Sequence, residues 1–247
     1  RALAVLNYKY YDRLPIVHFG YWPETLVKWA NEGHIDMQDA NSWSDGTPVC
    51  KKISEELGFD FAWFNCFMDF GLLHPSFEPE ILKENPDGSK EYFNPDGVVV
   101  LEKDEAGSIP SEVSHSLTDR KSWEELYKPK LQFTPERVTK ALVNTGDQYV
   151  QFDQGGLEFL KDENRENPVG LMIGSLLGRI RDWLGVVGLS YMQVDDEPLL
   201  DEIIQTVSDL CYNRTEYVLN TGAKFEFAHY WEDICFKNGP LVIPSVF

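Results

Sequence analysis

Two hydrophobic rhythms alternate along the chain. Short apolar runs end abruptly at small or polar residues: 13–20 (RLPIVHFG), 59–66 (FDFAWFNC), 168–175 (PVGLMIGS) and 225–229 (FEFAH). Runs of that length bounded by turn residues predict buried strands. Between them the recurrence changes to the three-to-four spacing of amphipathic helices. The segment 23–31 has Pro23 in its first turn and Gly33 just beyond its end, the usual asymmetry of a helix start and stop. Segment 48–57 stops at Gly58, 176–184 follows the third strand, and Asp195-Asp196-Glu197-Pro198 opens a long helix running to about Asn220, before Gly222. Segments 1–8, 119–128 and 134–144 read as further helices, the last with Thr134 as cap and Pro135 at its first position.

Between residues 77 and 117 the pattern becomes a set of short alternating runs separated by Asp87-Gly88 and Asp96-Gly97. Asp-Gly between such runs is a strong hairpin signal, so this stretch is expected to be a β-meander inserted after the second strand. The remaining order of strands and helices implies parallel strands joined by helical crossovers, an α/β fold. A complete eight-stranded barrel takes about 250 residues, and here much of the length goes to the insertion. The pattern therefore fits either a small open sheet or half a barrel. The end of the chain at residues 243–247 (IPSVF) favours a truncated half, whose first and fourth strands would leave open edges.

Composition narrows the function. The 247 residues are 43% hydrophobic, and 41 acidic against 22 basic side chains give a net charge of −19. Such a surface repels phosphate backbones and anionic lipids, so no nucleic-acid or membrane partner is expected. No run reaches the roughly 18 apolar residues of a membrane span. Cys50, Cys66, Cys211 and Cys235 are widely spaced, without a Cys-x-x-Cys pair. That spacing is neither a disulfide framework nor a self-contained zinc module, and a cytoplasmic setting follows.

Three stretches carry a resemblance: Tyr11-Asp12-Arg13-Leu14-Pro15, residues 170–185 (GLMIGSLLGRIRDWLG) and residues 230–241 (YWEDICFKNGPL). In that order they resemble the uroporphyrinogen decarboxylase superfamily, nearest its corrinoid-dependent methyltransferase-like branch. The likeness covers essentially the whole chain, and the second and third stretches are the specific ones. It implies a (β/α)8 TIM barrel, of which residues 1–247 form a single domain supplying the N-terminal half, with about four core strands and 77–117 as an insertion after strand 2. Two chemistries accompany that fold. The decarboxylases strip acetate carboxylates from a tetrapyrrole without a cofactor. Their relatives move methyl groups between corrinoid proteins and acceptors such as thiols, often with a zinc ion. A third reading is a catalytically idle barrel that partners a corrinoid protein.

Residue chemistry weighs these readings. A substrate with eight carboxylates needs clustered arginines, yet the place after the first strand holds Phe19-Gly20-Tyr21-Trp22-Pro23-Glu24. The family's serine in the closing stretch is replaced by Ile243, and its acidic residue after strand two corresponds to Asp69, about two places late. Methyl transfer is therefore the leading expectation, with the corrinoid on a partner protein. The zinc ligands that the family implies would lie beyond Phe247. His229 and Cys235, six residues apart, do not have a trusted ligand spacing.

Strand ends supply the candidate site, because catalytic groups of such folds gather at the carboxyl ends of strands. His229, Asp233 and His18 are the expected catalytic residues. Tyr21, Trp22, Cys66, Asp69, Gly174, Arg181, Trp231 and Glu232 are the expected substrate contacts, with Arg181 holding a negative group. Each has a plainer reading. His229 can be a half-buried histidine on a carbonyl, Glu232 and Asp233 a cap or solvated turn, Arg181 a surface ion pair, and Cys66 an inert buried thiol. Asp195, Asp196 and Glu197 read as helix caps, and Trp63 reads as core.

Overall fold

The computed structural model describes residues 1–18, 20–62, 65–103, 109–146, 148–165 and 167–244. Thirteen strands and nine α-helices are assigned among them. The chain runs α1 (Ala2–Leu6), β1 (Val17–His18), α2 (Pro23–Asn31), α3 (Met37–Ser42), α4 (Pro48–Glu56), β2 (Phe61–Ala62) and β3 (Cys66–Phe67). Four meander strands follow, β4 (Glu80–Glu84), β5 (Lys90–Phe93), β6 (Val98–Glu102) and β7 (Ser111–His115), then α5 (Arg120–Ser122) and α6 (Glu136–Thr139). The chain continues through β8 (Leu142–Asn144), β9 (Tyr149–Gln151), α7 (Gly156–Lys161), β10 (Gly170–Gly174), α8 (Leu177–Asp195) and α9 (Glu197–Asn220), and closes with β11 (Phe227–Tyr230), β12 (Cys235–Phe236) and β13 (Gly239–Pro240).

The fold is mixed α/β with parallel strand pairs, and no closed barrel forms among the described residues. Two compact units divide the chain. The first comprises Arg1–Asp69, Val138–Ile173 and Tyr217–His229; the second comprises Phe70–Arg137, Gly174–Glu216 and Tyr230–Phe247. Each unit draws on three separate stretches of the chain.

In the first unit, β1 pairs in parallel with β2, Val17 opposite Phe61 and His18 opposite Ala62. Asp60 fixes this entry. Its N–H donates to Ile16 O at 2.8 Å and its carboxylate accepts from Ile16 N at 2.9 Å, while Arg13 holds the same carboxylate at 2.6 Å. β3 pairs in parallel with β10, Cys66 opposite Gly170, and β11 lies on the far side of β10. Both β1 and β11 therefore stand at sheet edges among the described strands. The expected second strand, 59–66, divides into two short pieces with different partners, β2 and β3. Trp63 lies outside the described residues.

Helices cover these strands where caps and apolar faces predict them. α2 starts on Pro23 and buries Leu26 against Ile35, Ala40 and Ile53. Thr47 caps α4 by accepting from Cys50 N. A separate cluster around Phe67, Val143, Phe152, Leu160 and Leu171 packs the sheet. Segment 134–144 departs from its expected helix. Only Glu136–Thr139 is helical, and Leu142–Asn144 pairs antiparallel with Tyr149–Gln151. Val138, Ala141 and Val143 are all buried, and their spacing is compatible with either state. The hairpin partner decides for the strand.

The second unit contains the meander, four antiparallel strands in sequence order. Its two turns place Gly88 and Gly97 at φ +84° and +80°, conformations that favour glycine. At Gly97 space is also decisive, because a Cβ would fall 2.8 Å from the Phe77 ring and 2.5 Å from Tyr127 Oη. Asp119 and Ser122 form a capping box for α5, which continues as a π-helical turn burying Trp123 and Tyr127. Arg137, 1% exposed, donates to the carbonyls of Gln132, Gly71 and Lys130, so a buried cation is satisfied by backbone. α8 is broken at Gly185 (φ +69°, ψ 162°), where a side chain would strike His115. Asp196 Oδ1 accepts from Leu199 N at 3.2 Å, the cap expected at the start of α9.

Gly170 sits at a tightly packed point of the parallel sheet. A Cβ there would lie 2.7 Å from Cys66 Sγ and would also strike the Phe227 ring. Gly170→Ala is expected to destabilise the protein by about 1–3 kcal/mol, read as a lower urea midpoint. An unchanged midpoint would show that β3 and β11 yield freely.

Candidate functional site

Most of the nominated residues follow strand ends, and they fall into two groups. In the first unit, the missing side chain of Gly170 lets the residues of β3 and β11 meet across β10. Cys66 Sγ lies 3.9 Å from His229 Nδ1, and both side chains are part-buried. Burial pushes the Cys66 thiol up to about 12, against a smaller opposing effect of the Gly170 backbone N–H. The thiol is therefore protonated at neutral pH. It acts as a weak hydrogen-bonding neighbour of the imidazole and has little nucleophilic character.

His18, at the end of β1, is enclosed. Its Nε2 is 2.7 Å from Ser54 Oγ, and its ring stacks on Tyr21 at 4.6 Å and meets Phe59 edge-on at 4.7 Å. Burial lowers its pKa, so the neutral form is favoured. His18 Nδ1 is buried without a partner. Tyr21 itself packs against Trp29 and Trp43. Trp22 occupies the N-cap position of α2 and is exposed. Asp69 follows β3 at intermediate burial.

The second unit gathers Gly174, Trp231 and Glu232. Gly174 O accepts from Trp231 N at 3.2 Å. A side chain at Gly174 would fall 2.5 Å from Cys211 Sγ, so glycine permits that helix contact. Glu232 turns its carboxylate onto the start of α8, accepting from Leu176 N and from Gly178 N at 2.8 Å. Its charge is thereby set against the positive end of the helix dipole. Beside it, Arg181 contacts Asp182 at 2.5 Å and Asp233 at 3.7 Å. Arg179 contacts Asp182 at 3.2 Å and Asp96 at 3.6 Å. Both guanidiniums already face carboxylates.

One carboxyl group at a strand end has no sequence signature. Asp45 packs behind Gly20, where a Cβ would sit 3.1 Å from Asp45 Oδ1. Asp45 is exposed as a residue, but the side of its carboxylate that faces Gly20 is desolvated, which raises its pKa modestly. In the sequence, Ser44-Asp45-Gly46 reads only as a turn, and nothing local indicates that its carboxylate meets the residue two places past β1.

Zinc finds a poor fit in these residues. Among the described residues no group of three His, Cys, Asp or Glu side chains could hold a metal ion. The Cys66–His229 pair supplies two donors, while a catalytic zinc takes three protein ligands. No chemical step is assigned to zinc here. None of the eleven nominated residues lines the cavity of about 340 Å³ in the first unit, which is bounded by Ser54, Asn65, Asn144 and Arg165. Compared with protein-family models, with curated proteins and with solved structures, the chain matches none.

Two expectations follow from the electrostatics. A carboxyl whose folded pKa is raised stabilises the fold most below its unfolded pKa, and that contribution is lost as pH rises through the folded pKa. Because Asp45 is exposed and its charge is screened by solvent, Asp45→Asn is expected to raise the unfolding midpoint at pH 7 only slightly and to leave it unchanged near pH 3. Thiol accessibility gives a second check. Cys235 is exposed, whereas Cys50 and Cys211 are buried and Cys66 is part-buried. Burial also holds Cys211 up to about 11. Iodoacetamide at pH 8 should modify Cys235 rapidly and the other three only on unfolding; fast labelling of Cys66 would contradict its protonated state.

Proposed function

We propose that this chain belongs to an α/β enzyme that carries out small-molecule chemistry at the carboxyl ends of its parallel strands, and that the reaction is methyl transfer linked to a corrinoid protein. In this reading the parallel strands belong to the N-terminal half of a (β/α)8 barrel of the superfamily that the sequence resembles. The supporting observation is the Cys66–His229 contact at 3.9 Å, which places an imidazole at the end of β11 with a protonated thiol beside it.

A corrinoid carried by a partner protein would supply the methyl group. His229 handles the proton that an acceptor such as a thiol must lose when its heteroatom is methylated. In the tautomer whose Nδ1–H is directed at Cys66 Sγ, Nε2 would carry the lone pair and act as the base. Cys66 is then a positioning residue. Asp45, in the loop between α3 and α4, sets a carboxylate against Gly20 two places past β1 and is a second group that could exchange a proton there. His18, neutral and enclosed by aromatic rings, shapes the wall there.

The arginines favour methyl transfer over decarboxylation of a porphyrinogen. A polycarboxylated tetrapyrrole needs unoccupied guanidinium groups, whereas Arg179 and Arg181 are each engaged by two carboxylates. The net charge of −19 works in the same direction.

In the full-length protein, His229→Gln is expected to lower the methyl-transfer rate by about 10²-fold or more, with the far-UV spectrum unchanged. An unaltered rate would assign the chain to the catalytically idle partner reading. Saturable binding of a porphyrinogen in direct titration, without methyl transfer, would shift the assignment to decarboxylation.

A further inference from the structure

The first unit has a concavity at the amino ends of β2, β3 and β10, and two of its lining residues, Ser54 and Phe59, also contact His18. Asp60 and Asn65 line it just before β2 and β3, and Asn167 and Val169 line it just before β10. Its volume of about 340 Å³ falls within the range of small-molecule sites, which begins at roughly 300 Å³. We propose that this cavity binds a small, uncharged, hydroxyl-rich molecule the size of a mono- or disaccharide. The proposal does not rest on the methyl-transfer reading.

Arg165 carries the first argument. Its side chain is 3% exposed and held on both sides. Nη1 donates to Leu160 O at 2.5 Å, and Nη2 donates to Lys224 O at 2.9 Å and Glu226 Oε1 at 2.8 Å. Its Nε–H is buried with no partner. A donor left unpaired in that way is costly; it has almost no surface of its own, so a ligand oxygen in the cavity would satisfy it once the guanidinium turns toward the lumen. The guanidinium charge is already matched by Glu226, so the requirement is for an acceptor and not for an anion.

Charge balance carries the second. Lys51 faces Glu55 at 3.9 Å, and Asp60 is taken by Arg13 at 2.6 Å and Arg1 at 3.1 Å. Each charged group on the wall thus has its counter-charge within the protein. A phosphorylated or strongly cationic ligand would have to break one of these pairs.

The remaining wall is built of groups that both donate and accept. Asn65 Nδ2 donates to Pro168 O at 2.6 Å, which orients the amide and keeps its oxygen as an acceptor. Asn144 is anchored by donating to Gly46 O and by accepting from Gly146 N at 2.9 Å. Phe159, with the Arg165 guanidinium 6.0 Å from its ring centre, adds an apolar face. Amides and hydroxyls beside an aromatic ring match a sugar, which presents hydroxyls at its rim and C–H groups on its faces.

The test is a saturation-transfer NMR titration of the full-length protein with D-glucose, D-galactose, sucrose and myo-inositol, using glucose 6-phosphate as the charged control. Saturable binding of at least one neutral probe is expected, with glucose 6-phosphate at least about tenfold weaker than glucose. Arg165→Lys keeps the charge beside Glu226 and removes the Nε–H, and should weaken binding by about fivefold or more. Asn167→Trp, at an exposed lining position where the fold tolerates change, fills the cavity and should abolish the signal. The proposal is overturned by absence of saturation with every neutral probe. It is equally overturned by tighter binding of glucose 6-phosphate, or by binding that survives Asn167→Trp in a protein with wild-type circular dichroism.

Discussion

The carboxylate of Glu232 closes the amino end of α8, and much of the second unit is arranged around that contact. A helix leaves its first backbone N–H groups unsatisfied, and two of them, at Leu176 and Gly178, are taken by one side chain more than fifty residues later in the chain. The loop after β11 must therefore return to the turn after β10. That return sets Trp231 N against Gly174 O and leaves Asp233 beside Arg181. It also requires small residues where the loop and helix approach, because a Cβ at Gly178 would fall 3.1 Å from Asp233 N. One part-buried carboxylate thus accounts for the local geometry of four nominated positions.

Elements whose signals are local were legible from the sequence. Pro23 at the start of α2, Gly58 after α4, the Asp-Gly turns of the meander and the acidic start of α9 all act through their own neighbours, and each appears where the pattern places it. Elements decided by distant partners were not. Residues 134–144 keep a helix-compatible spacing, yet Leu142–Asn144 is a strand because Tyr149–Gln151 pairs with it. The run 59–66 reads as one strand but serves two sheets, since Val17–His18 takes one end and Gly170–Leu171 takes the other. The described strands form parallel pairs without closing a barrel.

The candidate site shows the same division. Strand position drew attention to Cys66 and His229, which the fold brings within 3.9 Å although they are far apart in sequence. It could not distinguish Glu232, committed to a helix terminus, from a free base. It also missed Asp45, which becomes notable only because Gly20 lets a carboxylate pack against the backbone. Arg165 was invisible for a related reason: a lone arginine in a polar loop acquires meaning only when Glu226 and two carbonyls hold it.

The parallel pairing of β3 with β10 also governs how the chain reaches its fold. Asn65 and Pro168, which bond just before these strands, are 103 positions apart, so the ends of a long loop must meet before the sheet exists. Parallel strands with such separation are intrinsically slow to pair. The meander lies wholly inside that loop and is built from near-neighbour hairpins, so it can form before the strands that flank it. Its presence adds little to the difficulty of closure. Removing the roughly forty residues of the meander would change the loop-closure entropy by only about half a kcal/mol. An insertion at this position is thermodynamically inexpensive for the pairing it separates, and the sheet can be conserved in form while the inserted segment varies in size.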